Sequence, residues 1–429
     1  MDARAGIVVV ALSFALLIGW VAAPLTSPSI TPRVTVHGAA APPTGVSRLA
    51  TPVAAPTGPV GGRLFQSIQT LPDGDTNSAT GVAVDPTTGT VFAANKFAGS
   101  ITAFNESSGT IEASQRVAEF AAGSFPAGLA IDPSHHRLFV PVSTIYAPGG
   151  TGGWLLVLDE STLATLANVS FPGAPLGTFE PTFLAYDAPS GQLFVENATL
   201  GEVAAVNLTT DSVSTYLPCP VALCAMHGYG LLDIPAYHLL LLPTCQPQMW
   251  FVNTSNDSTA AVVTGPPDTI MAWSTFDTVD NTLWVENYTY YGPTGSFLRY
   301  NLSTFTLLGN VVGAPPRGAA IGYDAADNLL IATDLNGSEQ ISLYDAATAN
   351  RTASYSGAGG TGHPFTALAF DPRTDVVVAS GSGNGTTLAF RLPALTLTRT
   401  YASFPVSQVA SAADPTLNEA IVLGSQPAT

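Results

Sequence analysis

Along most of the chain, short apolar segments with a two-residue alternation end in Asp, pass through a polar turn, and resume as a second apolar segment. The first copy is Gly81-Val-Ala-Val-Asp85-Pro-Thr-Thr-Gly-Thr-Val-Phe-Ala-Ala-Asn95. The second is Gly128-Leu-Ala-Ile-Asp132-Pro-Ser-His-His-Arg-Leu-Phe-Val140. Alternation with β-branched enrichment and turn punctuation predicts strands. Further copies centre on Asp187, Asp233, Asp277, Asp324, Asp371 and Asp414, at successive intervals of 47, 55, 46, 44, 47, 47 and 43 residues. A third strand and a polar turn follow in each full copy, as in Ile101-Thr-Ala-Phe-Asn105 and Ile341-Ser-Leu-Tyr-Asp345, and a weaker fourth strand leads to the next.

A period of roughly 40 to 50 residues carrying four strands predicts the blade of a β-propeller. The chain is therefore expected to be all-β, with about eight four-stranded blades and seven as the alternative. The last copy ends near Gly424 after two strands, and an orphan segment, Arg63 to Thr70, precedes the first copy. That segment aligns with a fourth strand. Pairing of the N- and C-terminal strands is expected to close the ring and leave no open edge there.

Ahead of the repeats, Gly6 to Ala23 is apolar and uncharged behind Arg4, which fits a signal peptide or a membrane anchor over residues 1–23. Residues 24–60 are rich in Pro, Thr, Ala, Ser and Gly and lack aromatics, which predicts a linker. Residues 61–429 are the expected propeller. Both readings of the first segment put the propeller outside the cytoplasm, secreted or anchored, with membrane contact only through the N-terminal segment.

Composition narrows the partners. Charged residues are 10% of the chain and the net charge is −17. The basic residues are twelve Arg and the single Lys96, with no basic run. Phosphate neutralisation needs clustered cations, so nucleic acid is not an expected partner. A protein or glycan at the cell surface is.

The blade signature resembles the YVTN-type β-propeller repeats of exported bacterial and archaeal surface proteins. The stretches that carry the likeness are Val91-Phe-Ala-Ala-Asn95 with Ile101-Thr-Ala-Phe-Asn105, Leu193-Phe-Val-Glu-Asn197 with Val203-Ala-Ala-Val-Asn207, and Leu283-Trp-Val-Glu-Asn287 with Phe297-Leu-Arg-Tyr-Asn301. The Asn is missing at Leu239 to Leu242 and at Leu329 to Ala332. The resemblance implies a propeller, surface location, and binding or scaffolding. It transfers no catalytic residues, because members share no single activity.

Candidate chemistry is sparse. Eleven of the seventeen Asn stand in N-x-S/T sequons: Asn105, Asn168, Asn197, Asn207, Asn253, Asn256, Asn287, Asn301, Asn336, Asn350 and Asn384. About four would arise by chance at ordinary composition, so glycosylation is expected at several, although the turn chemistry of Asn competes as a cause. Cys219, Cys224 and Cys245 fall within 27 residues and would give one disulfide in an oxidising compartment. No cofactor is expected. Asp73, Asp75 and Asn77 match the first ligand positions of a calcium loop whose later positions are absent.

The longest connections, Val142 to Gly153, Phe171 to Thr182, Ser214 to Gly230 and Asn287 to Gly295, should open on one face. That face and its blade ends bring Tyr146, Phe179, Glu180, Glu196, Tyr229, Trp273, Glu286, Tyr288, Tyr290 and Tyr291 as binding candidates. The competing expectation is that these aromatics pack between blades. A metal-dependent lactonase- or lyase-like enzyme is the alternative, with Glu196, Glu286, His227 and His363 as its best residues, and a structural envelope glycoprotein is a further one. The anchor Asp residues are expected to serve turns.

Overall fold

In a computed structural model the chain divides into Met1–Thr31 and Pro32–Thr429. The structure describes residues 79–397 apart from connecting loops, the longer being 145–151, 175–178, 220–229, 289–294, 335–339, 357–364 and 382–385. It also describes the strands Val34–Val36, Ile68–Gln69, Gln408–Asp414 and Glu419–Gly424. The apolar run Gly6 to Ala23 lies outside the described residues. Among the described residues no helix is long and apolar enough to cross a membrane.

Seven antiparallel sheets follow one another as blades. Blade 1 is Ala79–Asp85, Thr90–Asn95, Ser100–Asn105 and Ile111–Arg116, hydrogen-bonded in that order. Blades 2 to 7 repeat this arrangement, their first strands ending at Asp132, Asp187, Ile234, Asp277, Asp324 and Asp371. Register is set by the turn. Asp85 stands opposite Thr90, and Thr90 opposite Asn105, so the first and third strands end side by side on one face of the disc. Connections from second to third strands, and from blade to blade, therefore open on the other face.

The second and third strands are buried on both sides, which explains their continuous apolar runs. Val91, Phe92, Ala93 and Ala94 are all fully buried. Phe92 and Ala94 join Leu138, Val140 and Leu158 in the seam with blade 2, whereas Val91 and Ala93 join Val376 and Val378 of blade 7. Each of the seven junctions has such a core, blade 6 meeting blade 7 through Ile331, Leu343, Val377 and Phe390. Each large side chain buried in a seam contributes about 1.5–3 kcal/mol, so hydrophobic burial between blades is the main force holding the ring.

The structure selects seven blades over eight. The inner strand Phe365–Asp371 packs directly on Ala79–Asp85 and leaves no gap for another blade. The Asp414 copy forms a separate two-stranded hairpin, Gln408–Asp414 with Glu419–Gly424. The orphan N-terminal segment consequently does not complete an Asp414 blade. Ile68–Gln69 pairs with Thr387 and Thr386 in the third strand of blade 7. Farther along the same strand, Phe390 and Arg391 pair with Leu397 and Thr396. The fourth strand of blade 7 is thus shared by two stretches from opposite ends of the chain. Within the expected linker, the β-branched triplet Val34–Val36 adds a fifth strand to blade 4 by pairing with Val263, Val262 and Ala261.

Candidate functional site

The first strands surround a central channel. Every blade contributes to its lining, among others Gly81, Gly128, Phe183, Gly230, Trp273, Ala320 and Leu368. It encloses about 200 Å³, below the roughly 300 Å³ at which small-molecule pockets begin. Backbone contact between blades sets this narrowness. A Cβ on Gly128 would lie 2.7 Å from the Thr182 carbonyl of blade 3, so only glycine permits that approach. Trp273 is half-buried and meets Phe183 edge-on at 5.2 Å. No titratable side chain is among the lining residues, where Ser274 supplies the one hydroxyl.

Five of the eight anchor Asp residues, Asp85, Asp132, Asp277, Asp324 and Asp371, accept from their own turns, whereas the Asp233 carboxyl is buried without a partner among the described residues. Asp85 is fully buried and accepts from the Thr87 and Thr88 backbone N–H groups at 2.8 and 3.2 Å and from the Thr88 hydroxyl at 2.6 Å. Asp132, Asp277, Asp324 and Asp371 accept from the backbone N–H two residues on in the same way. Burial opposes ionisation of Asp85, but the bonds from Thr88 and Thr87 hold its carboxyl below the ordinary value. Four residues past these anchors the chain turns left-handed, at His136, Asn281, Asn328 and Asp375. His136 is thus a turn residue. His135 reaches back to Asp132 at 2.6 Å.

Between blades this face brings buried carboxyls together, among them Glu106 and Glu160, which the repeat pattern does not single out. Glu106 of blade 1 and Asp371 of blade 7 each lie 3.4 Å from the same Arg373 nitrogen. Burial, and then the neighbouring Asp371, push Glu106 up to about 7. Glu160 of blade 2 is buried against Asp85 of blade 1, with the His136 ring 3.6 Å away. Burial first, then Asp85, push Glu160 up to about 8. Asp233 rises to about 7 by burial and the nearby Asp187. The recoverable signal for the two Glu was their position immediately after the third strand, where other blades place Leu208, Leu302 and Leu392.

On the opposite face the binding candidates separate. Phe179 is buried, stacks on Phe171 at 4.2 Å, and approaches Tyr216 at 5.9 Å. Glu180 is also buried and accepts from the Thr144 N–H at 2.7 Å, its hydroxyl at 2.9 Å and the Ser143 hydroxyl at 3.2 Å. These two residues clasp blade 2 to blade 3 and are not presented to a partner. Packing between blades, the competing expectation, is what Phe179 does. Glu196 and Glu286 are buried in the second strands of blades 3 and 5, which are not adjacent. Tyr288 ends its strand with its side chain outside the described residues. Tyr146, Tyr229, Tyr290, Tyr291, His227, His363, Asp73, Asp75 and Asn77 also lie outside them.

Cys219 is disulfide-bonded, and Cys224 and Cys245 lie outside the described residues. Among the described residues no three His, Cys, Asp or Glu side chains are placed to hold a metal ion.

The sequons also sort by environment. Asn197 and Asn287 are buried at the ends of second strands, donating to Glu202 at 3.4 Å and to Ser296 at 3.1 Å. Asn95 does the same toward Thr102 at 3.1 Å without being a sequon, so this amide has a strand-tying role. Asn168, Asn256 and Asn350 are exposed, and Asn105, Asn207, Asn253 and Asn301 are half-exposed in turns. Asn336 and Asn384 lie outside the described residues. No protein-family model matches the chain, and no curated protein matches it.

Proposed function

We propose that this β-propeller is an extracytoplasmic binding or scaffolding module that meets a protein or glycan of the cell surface through its long-loop face. The observation that carries the reading is the channel, whose described wall of glycine, aliphatic and aromatic groups has Ser274 as its one hydroxyl and no titratable side chain to activate it for turnover. Carboxyls with altered proton affinity, the usual mark of a catalytic centre, are instead buried between blades on the opposite face.

Loop length supports the same assignment. Turns on the anchor-Asp face are short, as from Asp85 to Thr90. Several connections on the other face are long, as from Ser143 to Trp154 and from Pro218 to Leu232. Long connections on a rigid scaffold are where recognition is usually built. The likeness to YVTN-type repeats and the apolar N-terminal run support placement outside the cytoplasm.

The test is a titration of the purified protein against cell-envelope polysaccharides and envelope proteins immobilised separately. Saturable binding is expected, abolished by Tyr290→Ala with Tyr291→Ala, with no turnover of lactone or ester substrates. Unchanged affinity in the double variant would move the site off this face. Binding to neither class would favour a purely structural envelope protein.

A further inference from the structure

Six blades share a feature of their outer halves that turn chemistry does not explain. Between the end of the third strand and the end of the fourth, every blade from 1 to 6 carries at least one sequon. They are Asn105 in blade 1, Asn168 in blade 2, Asn207 in blade 3, Asn253 and Asn256 in blade 4, Asn301 in blade 5 and Asn350 in blade 6. In blades 1, 3, 4 and 5 a sequon Asn is the last residue of the third strand, and its Oδ1 accepts a turn N–H, as from Thr209 to Asn207 at 2.8 Å and Thr304 to Asn301 at 3.1 Å. In blades 2 and 6 that position is Asp159 and Asp345, which make the same turn unaided. There the sequon is displaced, to Asn168 on the fourth strand and to Asn350 on the far side of the hairpin. Selection for turns alone would leave these two blades without one.

The outer strands need protection. An edge strand is normally guarded against pairing with another chain by charge, especially Lys. Thr165–Ser170, Ser212–Pro218 and Thr306–Ala314, the fourth strands of blades 2, 3 and 5, contain no charged residue, whereas Ser258–Thr264 of blade 4 is covered by Val34–Val36. Apolar side chains are exposed on these strands, Leu166 in blade 2 and Leu308 in blade 5, and Ile111 is exposed on the fourth strand of blade 1. Each lies within 7 positions of a sequon of its own blade. The Nδ2 atoms of Asn168, Asn207, Asn256, Asn301 and Asn350 make no hydrogen bond to another described residue, so a transferase can reach them.

We propose that the outer rim of the disc carries N-linked glycans on blades 1 to 6, and that on the uncharged outer strands of blades 2, 3 and 5 these glycans replace charge as the guard against edge-to-edge association. The donor is a sugar linked through a pyrophosphate. Nδ2 attacks its anomeric carbon, the C–N bond forms as the C–O bond to pyrophosphate breaks, the pyrophosphate leaves, and the amide nitrogen gives up a proton to the transferase. Asn197 and Asn287, buried and committed to strand-tying bonds, stay unmodified.

The inference rests on the extracytoplasmic placement proposed above, and the test separates the two. Site-resolved peptide mass spectrometry is run on the protein isolated from the envelope or medium of the cells that make it. A glycan mass is expected at Asn168, Asn207, Asn301 and Asn350, and none at Asn197 or Asn287. The variant Asn168→Gln, Asn207→Asp, Asn301→Asp, Asn350→Gln keeps the turn acceptors and loses four glycans. It is expected to keep its melting temperature and to shift by light scattering to larger assemblies. Unmodified asparagines on a chain recovered outside the cell would overturn the glycan rim alone. Recovery of the chain from the cytoplasm would overturn the placement as well. Glycans present on a protein whose variant stays equally dispersed would overturn the guarding role.

Discussion

Thr374 of the seventh blade donates a 2.7 Å hydrogen bond to the Glu106 carboxylate of the first, across a sequence separation of 268 residues. The ring is thus fastened at its closure by a polar contact on top of the hydrophobic seam of Val82, Phe104, Val376 and Val378. Arg373 adds its guanidinium at 3.4 Å to Glu106 and Asp371 alike. The same position in blade 2, Glu160, meets Asp85.

Stability is expected to fall as pH rises from about 5 to 8. Glu160 is pushed up to about 8 by burial and Asp85, Glu106 to about 7 by burial and Asp371, and Asp233 to about 7 by burial and Asp187. A carboxyl whose folded value lies above its unfolded one holds its proton better when folded. It therefore stabilises fully below the unfolded value and loses that contribution as pH climbs through the folded one. Asp159, held at about 2 by hydrogen bonds from Thr162 and Ser161, acts oppositely and loses its contribution only in strong acid. Thermal melts should peak near pH 4–5 and drop by roughly 5 °C by pH 8. Glu160→Gln, a permanently uncharged mimic, should flatten the slope. An unchanged slope in that variant would locate the titration elsewhere.

Removing an anchor carboxyl should cost according to its burial. Asp85→Ala removes a fully buried carboxyl and its part-buried bonds to Thr87 and Thr88, a loss of about 1–3 kcal/mol in denaturant melts. Asp345→Ala removes a similar pair of bonds to Thr348, at 2.7 and 2.9 Å, from an exposed turn where water substitutes. Its loss should be clearly smaller. Equal losses would mean that turn geometry, not burial, sets the cost.

The repeat was legible because most blades write the same local chemistry: an alternating strand, an Asp that accepts from its own turn, and a left-handed residue such as His136 or Asn328 four positions on. Blade number was harder to read. The Asp414 copy has the same sequence pattern and pairs as a hairpin, but closure depends on the distant packing of Phe365–Asp371 against Ala79–Asp85. The site was legible least. Phe179 and Glu180 read as a recognition pair from their loop position, yet stacking on Phe171 and bonding to Thr144 bury them. Glu106 and Glu160 were invisible for the same reason, since their partners belong to neighbouring blades.

Glycine at the channel wall should tolerate no side chain. Gly128→Ala would set a Cβ 2.7 Å from the Thr182 carbonyl, a backbone atom that can move only if blades 2 and 3 separate. Overpacking of this kind costs about 1–3 kcal/mol. Gly191→Ala is the useful contrast, because nothing lies within 4 Å of its Cβ and the penalty there is confined to a backbone φ of +64°. Chemical denaturation of the two variants separates inter-blade crowding from local strain: a broadened, less cooperative transition is expected for Gly128→Ala only.

Glu180 offers a means of separating clasp from recognition on the long-loop face. Its carboxylate satisfies one backbone N–H and two hydroxyls at the end of blade 2's second strand, and its own N–H donates to Asn197 Oδ1 at 3.1 Å. Glu180→Ala strands the Thr144 N–H in a buried site and should cost about 2–3 kcal/mol of stability. Glu180→Gln keeps one carbonyl acceptor for that N–H and should cost about half as much. Below its melting transition, Glu180→Gln should bind an envelope ligand with wild-type affinity, since the carboxylate is 3% exposed and faces its own blades. A loss of affinity in Glu180→Gln without a matching loss of stability would instead show that the clasp opens to the ligand.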